Sequence, residues 1–258
     1  MISQPSVSQR PVNHNLVSQQ LVSQRRGVLT AIIMGTFALI TVPSLILLPL
    51  AGWPDFAQGA SATDSLPTIM ANIDAFRLGY LLFIVAGLLY WPATFLLIHA
   101  IKVKDTPSLS LQLASGLALA SAATRSAWYA ASMTVFPILN NLYQSGDAAT
   151  QAAVDVVFIV LNDTLSSIQE DIGVNLIGAA AGILIAVFIW QTKRLPRWLA
   201  VMGIVGSTLY VLSSAEILGI DLGGVGDLLA LMGPTVTNFW YLFMGIAIWW
   251  KSRLVKNS

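Results

Sequence analysis

The sequence predicts an all-α fold: a polytopic membrane protein with six transmembrane helices, plus an outer amphipathic helix or helix extension before the fourth span. Three observations carry this. Of 258 residues, 56% are apolar and 10% charged, against about 25% charged in soluble domains, and mean hydropathy is +0.74. Six apolar runs reach the roughly 20 residues that cross a bilayer. Lys and Arg gather at alternate ends of those runs, the pattern of cytoplasmic loops.

In chain order, residues 1–26 are polar and repeat Val-Ser-Gln at Val7, Val17 and Val22, which predicts a disordered cytoplasmic tail. The six-helix membrane domain follows over 27–258. Its first span, 27–52, is far longer than the 7–15 residues of a signal-peptide core. Ala60-Ser61-Ala62 resembles a cleavage site and is the processing alternative. The remaining spans are 78–98, 109–139, 172–190, 198–220 and 228–250. Between the third and fourth, Val154, Val157, Phe158, Leu161, Leu165 and Ile168 recur at helical spacing, while Asp155, Asp163 and Glu170 lie elsewhere on the wheel. Residues 152–170 therefore form an amphipathic helix, lying on the outer surface or extending span four outward.

Orientation follows from eleven of the thirteen basic residues. Arg10, Arg25 and Arg26 precede span one, Lys102 and Lys104 follow span two, Lys193, Arg194 and Arg197 separate four from five, and Lys251, Arg253 and Lys256 follow six. Both termini are thus expected in the cytoplasm. Asp55, Asp64, Asp74, Asp147, Asp155, Asp163, Asp221 and Asp227 fall in outer segments, with Asp105 alone inside. Trp53, Trp190, Trp198, Trp249 and Trp250 mark interfaces.

The two remaining basic residues are Arg77 and Arg125. Arg125 lies roughly 24 Å along span three from Leu109, and an unpaired guanidinium at such depth costs at least about 3 kcal/mol. Glu216 lies about 27 Å along span five and Asp171 about 29 Å along span four from their cytoplasmic ends. An ion pair from Arg125 to Glu216 or Asp171 is therefore expected, in a buried polar cluster with Glu170, Asn175, Trp128 and Tyr129. Ser121, Arg125, Trp128, Tyr129 and Ser132 share one helical face. Such a cluster is either an interhelical clamp or a polar pocket for a substrate or proton. Trp91, Trp128 and Trp240 fall away from the interfaces, as core packing or as cavity walls. Asp171, Asn175, Gly178 and Gly182 share one face of span four, with Gly178 and Gly182 forming a small-xxx-small contact. Pro43, Pro92 and Pro137 predict kinks.

No catalytic residues are assigned, because protease, hydrolase, dinucleotide and P-loop motifs are absent. His14 and His99 have no companion at metal spacing, and no cysteine is present. The expectation is no enzyme, no metal and no cofactor. The lipid bilayer is the expected partner, with a homo-oligomer or a membrane protein as further partners and no nucleic acid. Gly223-Gly224-Val225-Gly226 reads as a flexible outer loop.

Ala75-Phe76-Arg77-Leu78-Gly79 opening span two, Arg125 within span three, and Leu195-Pro196-Arg197-Trp198-Leu199 before a Gly-rich span five with Tyr210 resemble a six-helix bacterial membrane family, domain of unknown function 4386. The likeness covers most of residues 27–250. The chain departs from the family at Leu161-Asn162-Asp163-Thr164-Leu165 and Gln169-Glu170-Asp171, where the family often carries a His. The resemblance implies an uncharacterised multi-pass protein of the bacterial cytoplasmic (inner) membrane. Arg77, in the characteristic Phe-Arg-Leu-Gly, is expected to pair with Asp74 as an outer-loop anchor. Two functional classes follow: a non-catalytic helper, sensor or assembly subunit, or a small-solute or proton-coupled carrier or channel using the Arg125 region.

Overall fold

In the computed structural model the described residues are 14–50, 60–103, 106–165, 167–220 and 222–254; within them the side chains of 14–24, 44–45, 48–49, 165, 216–217, 227, 230 and 254 are not described. Arg10, Trp53, Asp55, Lys104, Asp105, Asp221 and Lys256 lie outside the described residues, as do the side chains of Glu216 and Asp227. The secondary structure of the described residues is helical, with α1 His14–Leu50, α2 Ala62–Ala71, α3 Ile73–Ile101, α4 Leu109–Ser145, α5 Ala148–Val160, α6 Ala179–Thr192, α7 Arg197–Ser213 and α8 Gly224–Leu254. Two π-helical stretches, Leu161–Leu165 and Ile168–Gly178, join α5 to α6, and a 3-10 turn, Ser214–Leu218, follows α7.

Among the described residues, four helical segments are long and apolar enough to cross a membrane: Arg25–Pro43, Ile73–Ile101, Ala148–Thr192 and Gly224–Arg253. Helix α7 is apolar but short, and α4 carries its length with more polar residues. The outside of these helices is apolar. Ile32, Leu39 and Ile46 on α1 are 58%, 61% and 59% exposed at seven-residue spacing, a stripe that a soluble helix would turn inward.

Neighbouring elements close a ring: α1 packs on α3, α3 on α4, α4 on the π-helical stretch and α6, α6 on α7, α7 on α8, and α8 back on α1. Inside it lies an inner core around Phe37, Tyr90, Ile185, Trp240 and Tyr241. An outer core of Leu66, Ile69, Phe76, Tyr80, Trp128, Phe136 and Phe158 fills the other end.

Several expectations change. Helix α1 begins at His14, so residues 14–26 of the expected disordered tail are helical; extending an existing helix avoids the nucleation cost. The region around Ala60-Ser61-Ala62 is the start of α2, where Ser61 caps the helix by accepting from the Asp64 N–H. The Ala62 N–H donates to Asp155 Oδ1 at 2.6 Å and Thr63 hydrogen-bonds Tyr143 at 2.7 Å. Residues 152–170 run toward α6 as part of one helical segment, Ala148–Thr192, and Val154 and Phe158 are buried in the outer core. Pro92 and Pro137 lie inside α3 and α4. Gly219 and Gly223 adopt φ of +75° and +51° on either side of the turn into α8, conformations that glycine adopts without penalty.

Candidate functional site

Helix α4 carries Arg125 across the boundary between the two cores: Ala122 belongs to the inner cluster and Trp128 to the outer. Around it the residues turn polar. Ser121 and Ser132 on α4 are fully buried and Ser126 nearly so, and Gln169 and Asn175 on the π-helical stretch are buried too. The inward face expected of Ser121, Arg125, Trp128, Tyr129 and Ser132 is therefore the one the fold uses.

Arg125 is threaded between two glycines. A Cβ added at Gly87 of α3 would lie 3.1 Å from Arg125 Cγ, and one added at Gly178 would lie 3.3 Å from Nη2. A methyl at either position would press on the stem or the tip of the side chain, which would have to shift by a few tenths of an ångström. The guanidinium sits 4.6 Å from the centroid of the Tyr90 ring, and Nη2 donates to Ser121 Oγ at 3.0 Å. Tyr90 in turn donates its hydroxyl to the Gly178 carbonyl at 3.1 Å. Arg125 Nε is buried with no hydrogen-bond partner among the described residues.

Among the described residues no carboxylate lies within ion-pair distance of Arg125, so the expected pair with Asp171 is not formed, and the Glu216 side chain lies outside those described. The cation is held instead by the negative face of an aromatic ring and by a hydroxyl four residues back on its own helix. Asp171 accepts from Asn175 Nδ2 at 3.4 Å, and its carbonyl accepts from Ser214 of the 3-10 turn at 3.5 Å. Gln169 donates to the Tyr129 hydroxyl at 3.0 Å, and Tyr129 stacks on Phe83 at 5.0 Å.

The single face expected of Asp171, Asn175, Gly178 and Gly182 is divided. Gly178 meets Ser121 and Arg125 of α4, whereas Gly182 meets Ser207 of α7. Up to Gly178 the segment is π-helical, with i→i+5 bonds. It brings Gly173, which meets Thr124, and Gly178 to the same neighbour, α4. Trp240 is packed in the inner core, Trp128 in the outer one, and Trp91 against the edge of the inner.

The expected Arg77 and Asp74 pair is not present among the described residues. Both side chains are exposed in the first turns of α3, where water serves each and a surface pair contributes about 0–1 kcal/mol. Sequence reasoning missed Tyr90, Gly87, Gln169 and Tyr80. The signal was present for the first two, since Gly87 and Tyr90 lie three residues apart in an otherwise bulky run.

Apolar helices of bilayer-crossing length, ringed around a layer containing a partly buried arginine, define an all-helical bundle of the membrane type. The chain belongs to the family described as Domain of unknown function (DUF4386), whose model matches residues 27–245. That match takes in the whole Arg125 layer. No curated protein and no solved structure matches the chain.

Proposed function

We propose that the chain is a non-catalytic integral protein of the bacterial inner membrane, crossing six times with both termini in the cytoplasm. Arg125 acts as the central clamp of the bundle, and Glu170, Asp171 and Glu216 complete a polar cluster in its outer half. Its role is that of a helper, sensor or assembly subunit. One observation carries this reading: Arg125, Tyr90 and Gly178 form a chain of contacts through which one cation ties together α3, α4 and the segment entering α6. A buried charge so engaged is a fastening. The basic ends of alternate helices support the orientation.

Orientation is testable directly because the chain has no cysteine. Single variants Thr106→Cys and Arg194→Cys should react with an impermeant maleimide only from the cytoplasmic side, and Ser145→Cys and Ile220→Cys only from outside. Labelling of Thr106→Cys and Ser145→Cys from the same side would refute six crossings. For the clamp, Arg125→Leu should lower thermal stability in detergent without any ligand present.

A second reading, a small-solute or proton-coupled carrier or channel, is favoured by one detail. Arg125 Nε is buried without a partner among the described residues, beside a π-helical stretch, and π-helical turns are frequent at functional sites. A thermal shift induced by a small carboxylate anion and abolished in Arg125→Leu would favour it.

A further inference from the structure

One end of the bundle collects positive charge from three separate parts of the chain. Gly27 of α1 packs against α8, where an added Cβ would lie 2.6 Å from Ser252 Cβ, and this sets Arg25 and Arg26 beside the end of α8. Lys251 of α8 donates its ammonium to the Arg194 carbonyl at 3.0 Å, which joins that end to the loop between α6 and α7. Arg25, Arg26, Arg194, Arg197, Lys251 and Arg253 are all exposed there. The described carboxylates lie elsewhere. Asp64 and Asp74 are in the first turns of α2 and α3, and those from Asp147 to Asp171 precede α6, whose opposite end leads into this loop. Like charges gathered without a counter-charge repel one another. Insertion topology calls for basic loops but is indifferent to whether they converge.

The aromatic rings beneath the cluster fix its depth. The Arg197 guanidinium lies 5.2 Å from the centroid of the Trp190 ring, and that of Arg253 lies 4.0 Å from Trp249. Trp190 is exposed, as are Trp198 and Trp250. Exposed indoles rest at the headgroup level of a bilayer, so guanidiniums lying on them are in the plane of the lipid phosphates and do not reach out to a soluble partner. The backbone adds a second sign. Lys193 ends α6 with φ +55°, the left-handed position that helices usually give to glycine. A lysine held there accepts strain and adds one more charge to the cluster.

We propose that this end of the bundle is a docking surface for anionic glycerophospholipids, whose phosphates bridge the α6–α7 loop and the end of α8 through Arg194, Arg197, Lys251 and Arg253. The inference rests on the membrane reading. It holds whichever leaflet this end faces and is independent of the role of Arg125.

The test uses the full chain in detergent, titrated with phosphatidylglycerol or phosphatidylcholine of identical acyl chains and read by native mass spectrometry. A basic side chain near an anionic surface contributes ~1 kcal/mol, a factor of about five. Wild type should therefore retain phosphatidylglycerol at least about fivefold more tightly, with the preference shrinking as salt rises. Arg194→Gln combined with Lys251→Gln should lower that preference by about fivefold or more. Arg197→Gln combined with Arg253→Gln, which leaves the Lys251 hydrogen bond in place, should do the same. Arg77→Gln, exposed at the opposite end of α3, should leave it unchanged. Equal retention of the two lipids by wild type, or an equal loss in Arg77→Gln, would overturn the proposal. So would tighter binding of soluble poly-glutamate than of phosphatidylglycerol in the same micelles, which would make the partner an acidic protein. A chain that stays in solution without detergent would instead overturn the membrane reading.

Discussion

Tyr90 is the residue through which the Arg125 contacts can be separated. It is buried, receives the guanidinium at 4.6 Å on its ring and donates to the Gly178 carbonyl. Its ring also contacts Phe37 at 5.6 Å and Tyr241 at 5.8 Å. Tyr90→Phe keeps the ring and removes one hydrogen bond, a loss of about 1 kcal/mol. Tyr90→Leu removes in addition a desolvated cation–π contact of about 2 kcal/mol and two aromatic contacts of about 1 kcal/mol each. The leucine variant should therefore lose about 5 kcal/mol, some four more than phenylalanine. In an Arg125→Leu background the cation–π contribution has no source, so Tyr90→Leu should cost only about 3 kcal/mol, a coupling near 2 kcal/mol. Reversible unfolding by SDS in mixed micelles, followed by tryptophan fluorescence, supplies the four free energies. A coupling below about 0.5 kcal/mol, or a phenylalanine variant as unstable as leucine, would refute the claim that the ring holds the cation.

Three further outcomes are expected. Gly203→Ala would place a methyl 2.7 Å from the Trp240 ring and 3.0 Å from Ala186 Cβ, so overpacking should destabilise by about 1–3 kcal/mol, with a shift in the Trp240 emission; unchanged unfolding would contradict the packing described. Asp155→Ala removes the acceptor of the Ala62 N–H, and hydrogen exchange should accelerate across Ala62–Ala71 while α7 and α8 stay protected. Asp147 caps α5 by accepting from the Thr150 N–H at 2.9 Å and its hydroxyl at 2.7 Å, which holds its carboxyl below the ordinary value of 3.8. A depressed carboxyl contributes stability above its unfolded value and loses it as pH falls through the folded one. Exchange at Thr150 and Gln151 should accordingly rise only in strong acid, and already at neutral pH in Asp147→Ala.

The helical class was legible because it depends on composition and run length. The expected first span was extended backward only because helix propagation does not require an apolar code: His14–Arg26 is polar yet helical. The inward face of α4 was legible for a related reason, since α-helical spacing holds throughout that helix. It failed on span four. There Gly178 and Gly182, separated by a period that reads as one face, contact different helices, because a helix packed among several neighbours meets a different one at each depth. The Tyr90 contact of Arg125 was not legible because counting residues along separate helices gives depth and says nothing about rotation. Opposite charge suggested Asp171, while an aromatic ring on α3 supplied the contact.

By itself, then, the sequence determined what the bilayer dictates: which segments are apolar, which ends are basic, and that one arginine must be accommodated inside, because these follow from the transfer cost of each residue along the chain. What only the tertiary structure decided is how the arginine is accommodated. Gly87 and Gly178 lie on different helices and ninety-one positions apart in the sequence, and that they converge on one side chain is a consequence of helix rotation, which no local pattern records.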